Sequence, residues 1–340
     1  MIAQFVKCVF RRGMEMNMVV PVLLFLLGFV ALIKGGDWFV DGAVGIAHRF
    51  HLPELLIGAT VVSIGTTLPE VMVSSQAALE GNSGISYGNA IGSIICNASL
   101  IAAITMAVKP GKVNKNTFLL PTAFFFVAAV IYTVIAYTRG EFLRWQGLAF
   151  LAIFVVYMIW STIHMKKHPE DAEEEEEEEE TKQRALWLEL VLLVVGAAVI
   201  AVGARLLVDN GTLIAQALGV PDSVIGLTMV ALGTSLPELV TAITSLVKGH
   251  GALSLGNVIG ANLFNIVLVS GMAISINPFA IPTEKVLAGQ NASLLVDVPV
   301  MWFVMLIMAI PSIITGKVKR WQGIVLLLTY VAFTTFQFLG

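Results

Sequence analysis

Long apolar segments separated by short polar breaks occupy most of the 340-residue chain. An α-helix needs about 20 predominantly apolar residues to cross the hydrocarbon core of a bilayer. The pattern predicts ten such helices, and they leave no room for a separate soluble domain. We place them at 18–47, 53–79, 84–108, 117–137, 142–164, 184–215, 221–247, 252–276, 293–315 and 319–338. The predicted fold class is therefore an all-α integral membrane protein.

Two motifs of the first half return in the second half. The segment GTTLPE at 65–70 recurs as GTSLPE at 233–238, and GNAIGSIICN at 88–97 recurs as GNVIGANLFN at 256–265, both 168 positions later. RWQG at 144–147 recurs at 320–323, which is 176 positions later. The sequence thus predicts a duplication, and internal repeats of this kind define architecture.

The duplication predicts two five-helix repeats joined by a linker. The first repeat, with a short N-terminal extension, covers 1–164, the linker covers 165–183 and the second repeat covers 184–340. Because five is an odd number, the second repeat must enter the membrane from the opposite side. Inverted repeats are typical of secondary transporters, whose sites lie near the midplane where interrupted helices of both halves meet.

Composition and charge agree with a membrane protein and suggest its orientation. The chain is 57% hydrophobic and 13% charged, whereas soluble domains carry about 25% charged residues. Loops on one predicted side hold twelve Lys and Arg residues against three on the other, the N-terminal extension apart. The positive-inside rule then makes the first side cytoplasmic. Lys7, Arg11 and Arg12 of the extension oppose this orientation.

We therefore expect a protein of the cell (inner) membrane with both termini extracytoplasmic and the linker in the cytosol. The linker contains eight consecutive glutamates at 173–180. Such a run repels itself and is typical of a solvated, disordered segment. A low-affinity collector of cytosolic Ca2+ is the alternative interpretation.

Glu70 and Glu238 are the residues that most require a functional account. An ionisable side chain at bilayer depth costs a few kcal/mol or more, so it marks a functional site by default. Pro69 and Pro237 precede these glutamates, and a proline inside a helix removes a hydrogen bond and breaks or kinks it. We expect the breaks to free backbone carbonyls at about Ser63 and Thr66 in one half, and at Ala231 and Thr234 in the other.

Oxygen donors surround both glutamates in the sequence. Hydroxyls of Thr66, Thr67, Thr234 and Ser235 lie within one helical turn of them. Hard cations such as Ca2+ take six to eight oxygen ligands, and two carboxylates balance one divalent or two monovalent cations. No His or Cys joins the cluster, which argues against zinc and copper.

The second motif adds neutral donors. Ser93 and Asn97 are four residues apart and share a helix face, and Asn265 repeats Asn97 in the second half. The glycines of this motif allow close helix packing, which is also the simplest interpretation of each glycine taken singly. With Cys8 and Cys96 as its two cysteines, the chain shows neither a disulfide framework nor a metal-ligand spacing.

Together the two motif pairs resemble the α-repeats of the sodium/calcium exchangers of the cation/Ca2+ antiporter superfamily. The resemblance covers essentially the whole membrane portion. It implies a ten-helix inverted-repeat antiporter in which a midplane site binds either Na+ or Ca2+, and in which the long first and sixth helices slide against the core. It also implies ligands. For Ca2+ these are Glu70, Glu238, Thr66 and Thr234; for Na+ they are the hydroxyls of Thr66, Thr67, Ser93, Thr234 and Ser235 and the carbonyls of Ser63 and Ala231.

Two positions depart from the family pattern. Many members carry Asp where this chain has Asn265, and Ser where it has Ala261. The first change leaves two carboxylates in the core, and the second removes a hydroxyl from a flanking Na+ site. Both put the usual 3:1 Na+:Ca2+ stoichiometry in question.

The leading hypothesis is secondary active exchange of Na+ for Ca2+, in which the ions compete for one acidic site. Proton-driven Ca2+ exchange by the same glutamates is the close alternative, and a passive cation channel is a more distant one. An enzyme is not expected, because no Ser/His pair or HExxH motif lies at span depth. The expected partners are Ca2+, Na+ and the lipid bilayer, without a prosthetic group or nucleic acid; a monomer suffices, and the sequence leaves the oligomeric state open.

Overall fold

The computed structural model describes residues 18–167, 184–218, 231–283, 286–287 and 289–339. Its helices are α1 (Val19–Arg49), α2 (Glu54–Leu79), α3 (Ser83–Val108), α4 (Lys115–Thr138), α5 (Arg144–Lys167), α6 (Leu186–Ala217), α7 (Leu236–Val247), α8 (Gly251–Ile276), α9 (Ser293–Thr315) and α10 (Arg320–Leu339). One helical turn, Ala231–Thr234, precedes α7. Four two-residue strands complete the described elements: β1 (Gly111–Lys112), β2 (Val286–Leu287), β3 (Gln290–Asn291) and β4 (Lys317–Val318).

The prediction of a helical integral membrane protein is confirmed. Within the described residues, eight helices are long and apolar enough to cross a membrane, namely α1 to α6, α8 and α9. The described part of the seventh predicted span is shorter, because 219–230 lie outside the described residues. The small strands make the fold mostly helical rather than all-α. They join loops at the helix ends and leave the helical body unchanged.

The two longest helices, α1 and α6, pack against each other in antiparallel orientation. Glycines line the contact: a β-carbon on Gly42 would lie 2.5 Å from the backbone nitrogen of Leu193, and one on Gly196 would lie 2.5 Å from that of Phe39. Gly28 makes a similar approach farther along, with its virtual β-carbon 2.9 Å from the carbonyl oxygen of Gly203. Small residues allow helix backbones to approach this closely in membranes. The pair therefore has no room for side chains along this seam.

Helices α3 and α8 form the buried centre, and each contains a π-helical segment at the same relative position. These segments are Asn97–Ala102 and Asn265–Ser270. Short π segments inside α-helices occur often at functional sites. In their most apolar stretches, 72% of α3 and 78% of α8 is buried, against 22% of each of α1, α5 and α6.

The loops between helices pair at both ends of α4. At one end β1 pairs with β4, and the backbone nitrogen of Val113 donates to the carbonyl of Gly316 at 3.0 Å. At the other end Glu141 pairs with Ala280, and the nitrogen of Ile281 donates to the carbonyl of Gly140 at 2.8 Å. The α3–α4 loop therefore joins the α9–α10 loop, and the α4–α5 loop joins the α8–α9 loop.

The RWQG motifs lie at the start of α5 and α10, and the glutamine and glycine of each motif make the same kind of contact in both helices. The side chain of Gln146 accepts a hydrogen bond from the nitrogen of Leu143 at 2.7 Å, and Gln322 accepts one from Lys319 at 2.8 Å. Each side chain thus satisfies a donor that the first helical turn leaves open. The glycine that follows allows close packing.

These glycines place α5 on α8 and α10 on α3. A β-carbon on Gly147 would lie 2.9 Å from the carbonyl oxygen of Gly271, and one on Gly323 would lie 2.5 Å from that of Ala103. The helix that follows each RWQG motif therefore packs on a central helix from the other half of the chain.

Several basic residues lie at helix ends on one face of the molecule. The ammonium group of Lys109, at the end of α3, donates to the carbonyl of Gly249 in the α7–α8 turn at 3.0 Å. Arg49, at the end of α1, bonds to Glu189 near the start of α6 at 3.2 Å. Lys248 pairs with Asp41 of α1 at 2.6 Å. We call this end of the molecule, which also carries the β1–β4 pair, the basic face.

Candidate functional site

The segment GTTLPE lies within a continuous part of α2. A π segment, Gly58–Val62, precedes it, and the helix then runs from Ser63 to Leu79 with Pro69 inside it. The prediction was a break or a kink at Pro69, and the helix has no break there. Pro69 still cannot donate to the carbonyl of Gly65, but contacts from α3 and α8 hold the helix together.

The segment GTSLPE takes a different form. The helical turn Ala231–Thr234 ends, Ser235 adopts a turn conformation with φ −90° and ψ 5°, and α7 begins at Leu236. Pro237 thus lies in the first turn of α7, where its missing N–H group has no intrahelical partner to lose. The expected break is present in this half.

The carboxylates of Glu70 and Glu238 are fully buried, with 0% of either residue exposed. None of their four oxygens has a hydrogen-bond partner among the described residues. The two groups are close enough for their charges to interact. Burying two carboxylates without protein partners costs free energy unless a positively charged group balances them.

Hydroxyl groups from α2, from α3 and from the turn before α7 surround the carboxylates. The Ser93 hydroxyl of α3 lies beside Glu70, and the hydroxyls of Thr66 and Thr67 of α2 lie beside Glu238. The Oγ atoms of Ser235 and Ser93 are 3.5 Å apart. The structure therefore brings together six predicted residues: Glu70, Glu238, Thr66, Thr67, Ser93 and Ser235. Glu238, which belongs to the second half, lies beside hydroxyl groups of the first half.

Asn97 and Asn265 are the first residues of the two π segments, and both are buried. Nδ2 of Asn265 donates to the carbonyl of Ala261 at 2.9 Å. Its Oδ1 and both side-chain polar atoms of Asn97 have no partner among the described residues. Both amide oxygens are thus available to another group.

Three further predicted residues include two, Ser63 and Ala231, that were predicted through their backbone carbonyls. The Ser63 hydroxyl donates to the carbonyl of Asn257 at 2.9 Å, and the Ser63 carbonyl lies 3.5 Å from the Thr66 hydroxyl. Thr234 is partly exposed in the turn before the break. Ala231 begins that turn, and the structure does not describe its side chain. Among the described residues, no hydrogen bond joins Thr234 to either carboxylate.

Sequence reasoning missed Asn257 and Asn89, which hold α2 in place. Oδ1 of Asn257 accepts a hydrogen bond from the Thr66 hydroxyl at 3.1 Å. Nδ2 of Asn89 donates to the carbonyl of Glu70 at 3.1 Å and to the Ser74 hydroxyl at 2.9 Å. The available signal was the repeated GN dipeptide, since the two asparagines are 168 positions apart.

Gly256 of this dipeptide and Gly260, both in α8, act as packing residues, as predicted. A β-carbon on Gly256 would lie 2.0 Å from the carbonyl oxygen of Leu55, and one on Gly260 would lie 2.3 Å from the Ser63 hydroxyl. These approaches press α2 against α8 and so position Ser63 and Thr66. Among the described residues, no atom lies within 4 Å of a β-carbon placed on the first-half counterparts, Gly88 and Gly92.

A narrow cleft connects the motif prolines with the long helix pair. Phe39 of α1 and Ala197 of α6 line one side, and Gly65, Pro69 and Pro237 line the other. Within the described residues, no group of three or more His, Cys, Asp and Glu side chains forms a metal cluster. The chemistry of the site therefore rests on two carboxylates and neutral oxygen donors, which favour hard cations.

Comparisons with known proteins agree with this site. The model of the family described as sodium/calcium exchanger protein matches residues 20–163 and 188–339. The chain is 33% identical over 354 residues to the sodium/calcium exchanger MaX1 of Methanosarcina acetivorans, covering 94% of this chain and 99% of that protein. It is 32% identical over 294 residues to the inner membrane protein YrbG of Escherichia coli (strain K12), covering 83% and 87%.

A solved structure of the sodium-calcium exchanger NCX_Mj, soaked with zero Na+ and Ca2+, has the same fold. The TM-score is 0.77 at 33% sequence identity, and the match covers 93% of this chain and 98% of that one. Family model, relatives and structure all extend over both motif pairs. The chain belongs to the sodium/calcium exchanger protein family.

Proposed function

We propose that this protein is a secondary active antiporter that exchanges Na+ for Ca2+ by alternating access. The observation that carries the proposal is the pair of buried carboxylates, Glu70 and Glu238, whose oxygens have no hydrogen-bond partner among the described residues. One Ca2+ or two Na+ would balance their charge. Because both ions need the same carboxylates, occupancy by one excludes the other, and this competition couples the two fluxes.

The ligand set follows from the donors around the carboxylates. Glu70, Glu238 and carbonyl groups at Thr66 and Thr234 would hold Ca2+, which prefers carboxylate and carbonyl oxygens. Amide oxygens of Asn97 and Asn265 would add neutral donors. Na+ would use hydroxyls and carbonyls around the same centre, from Thr66, Thr67, Ser93, Thr234, Ser235, Ser63 and Ala231.

The proposed architecture is a ten-helix inverted repeat. The hydrogen bond from Val113 to Gly316 at one end of α4 corresponds to the bond from Ile281 to Gly140 at the other end. Position 281 is 168 after 113, and 316 is 176 after 140, which are the two repeat offsets. A two-fold axis in the membrane plane would exchange these bonds, and this correspondence supports the inverted arrangement.

Orientation follows from the basic face. The positive-inside rule places this face in the cytoplasm, with both termini outside and the acidic linker in the cytosol. NCX_Mj undergoes extracellular ion exchange and induced occlusion of its binding site. We propose an equivalent cycle here, in which α1 and α6 move against the helices that carry the site.

Proton-driven Ca2+ exchange is the second candidate, since buried carboxylates also accept protons. The hydroxyls beside Glu70 and Glu238 favour Na+, because a proton-coupled site needs no further oxygen ligands. Neither candidate is an enzymatic activity.

The test is uptake of radiolabelled Ca2+ into proteoliposomes loaded with Na+, compared with vesicles loaded with K+ or choline, with and without a clamped membrane potential. We expect uptake only with internal Na+. Uptake driven by a pH gradient in the absence of Na+ would assign the protein to proton-coupled exchange instead. Dependence on the membrane potential would report the stoichiometry, which Asn265 and Ala261 place in question.

A further inference from the structure

The basic face contains a cavity remote from the carboxylate site. Its volume is about 910 Å3, which is within the range of small-molecule sites. The cavity is bounded by the ends of α1, α2, α3, α7, α8 and α9 and by residues 110–114 and 316–318. The proposed exchange mechanism does not use it.

Positive charge in the cavity exceeds its negative charge. Four lysines line it, together with Glu54 and two histidines. Lys248 is balanced by Asp37 and Asp41, and Glu54 pairs with His250 at 2.8 Å. No carboxylate of the described residues lies within 4.0 Å of the other three ammonium groups, which are those of Lys109, Lys112 and Lys317.

Two of these lysines face each other directly. Lys112 of β1 and Lys317 of β4 are partners in the antiparallel ladder. Residues directly opposite point to the same face with β-carbons about 5 Å apart, and like charges in this position are destabilising. At the other end of α4 the corresponding pair is Ala280 and Glu141. The pairing therefore forms without opposed lysines, and the exposed Lys112 and Lys317 concentrate positive charge on this side of the cavity.

The first turn of α8 adds a second source of positive potential. Gly251 and Ala252 line the cavity, and the preceding His250 makes no side-chain cap to the helix. The N–H group of Gly251 donates to the carbonyl of Gly249 at 2.9 Å, and the positive end of the helix dipole, in the turn that follows, favours anions. The positive end of α8 and the lysines thus meet at one cavity.

We propose that this cavity binds a phosphate-bearing anion, either the phosphodiester headgroup of an anionic lipid or a phosphate compound from solution. A phosphate group offers several acceptor oxygens and a net negative charge, which three lysines and a helix N-terminus satisfy together. Basic pockets between the ends of membrane helices on the cytoplasmic side recognise phosphorylated headgroups in this way. The site is independent of ion exchange, so binding is measured without transport.

The experiment uses the full chain in nanodiscs of zwitterionic phosphatidylcholine. In one arm, pyrophosphate is titrated by isothermal calorimetry. In the other, phosphatidylglycerol is added to the disc and the lipid retained by the protein is measured by native mass spectrometry. Pyrophosphate binding alone assigns the solution source, retained phosphatidylglycerol alone assigns the lipid source, and both together assign a site for either; each supports the proposal.

The test variant carries Lys112→Gln with Lys317→Gln. Loss of two lysines near a phosphate is expected to weaken binding about 30-fold. The control carries Lys167→Gln with Lys319→Gln, which removes the same charge from two exposed lysines of the basic face outside the cavity lining. The variant with Lys112→Arg and Lys317→Arg keeps the charge and should retain binding, which separates lost binding from lost folding.

Three results would overturn the proposal. Wild-type protein that binds neither probe would do so. Equal loss of binding in the control variant would assign the effect to general surface charge. Binding that appears only when Glu173 to Glu180 are changed to glutamine would make the chain's own acidic tract the occupant of the cavity.

Discussion

GTTLPE and GTSLPE differ at one of six positions, yet the first lies in an unbroken part of α2 and the second is broken at Ser235. The break places Thr234 and Glu238 on different helical segments, whereas Thr66 and Glu70 share one. The motif therefore supplies the donors, and its surroundings decide the backbone conformation.

The contacts that hold the first motif are identifiable among the described residues, whereas the segment before the second motif, 219–230, lies outside them. Around α2, Asn257 accepts from Thr66, and Asn89 donates to the carbonyl of Glu70. Tyr157 of α5 donates to the carbonyl of Ala59 in the preceding π segment at 2.8 Å. These bonds satisfy groups that an irregular helix would otherwise leave unpaired in the core.

The glycines of the two motifs also have different neighbours. A β-carbon on Gly65 would lie 3.1 Å from the ring of Phe39 of α1, whereas one on Gly233 would lie 2.6 Å from Val208 of α6. A motif that is stable in two conformations is what alternating access requires of a bistable element. Under the proposed alternating access, the continuous form in α2 and the form broken at Ser235 would be two states of such an element.

The largest expected effect comes from replacing either motif carboxylate, because we expect Glu70 and Glu238 to contribute equally to the site. Glu70→Gln and Glu238→Gln should each lower Na+-dependent Ca2+ uptake at least 100-fold, because either change halves the negative charge available to the ion. The measurement is uptake into Na+-loaded proteoliposomes. Glu80→Gln, at the exposed end of α2, is the matched control and should keep near-normal uptake. Near-normal flux in either motif variant contradicts the site.

The second-largest expected effect tests whether the close contact between α2 and α8 is required for stability. Gly256→Ala places a β-carbon 2.0 Å from the carbonyl oxygen of Leu55, so α2 must move away from α8. Overpacking of this kind costs about 1–3 kcal/mol, and the thermal unfolding midpoint should fall by several degrees. Gly251→Ala in the same helix, with no described atom within 4 Å of the new β-carbon, should leave the midpoint unchanged. Equal midpoints in the two variants would show that the contact is not required.

A smaller and more local effect is expected from Asn257→Ala. The change removes the acceptor of the Thr66 hydroxyl, and an unsatisfied buried group costs about 1–3 kcal/mol. Amide hydrogen exchange, measured by mass spectrometry, should become roughly 5- to 150-fold faster in peptides of 63–70 and should not change in those of 236–247. Acceleration spread over both segments would show that Asn257 stabilises the whole protein rather than α2.

The smallest effect is expected from the position at which the motifs differ. Ser235→Thr makes the two motifs identical, and β-branched Thr has a slightly lower helix propensity than most residues. If the surroundings rather than the sequence set the break, exchange rates of 231–238 should change less than about threefold. Strong protection of this segment would assign the break to Ser235 itself.

The sequence predicted much of the helical framework because its signals are long and repeated. The predicted span 293–315 coincides with α9, and the predicted span 184–215 lies within two residues of α6 at both ends. Glu70 and Glu238 were also identifiable, since a carboxylate in an apolar run is rare.

Other features depend on contacts between distant segments. Pro69 was expected to break α2, but Asn89 and Asn257 hold the helix from two neighbours. The π segments at Asn97 and Asn265 follow from packing and have no local sequence signature. The signal that would have identified the asparagines, the repeated GN dipeptide, looked like part of a glycine packing motif.

The packing of Gly147 on α8 and of Gly323 on α3 has a consequence for biosynthesis. Helix α3 is synthesised long before α10, so the surface around Ala103 faces lipid until the last helix enters the bilayer. Translation that stops before Arg320 would leave this surface uncovered, and a membrane protease could recognise the unfinished chain by it. The packing of α3 is therefore completed by a helix of the second half, α10 (Arg320–Leu339).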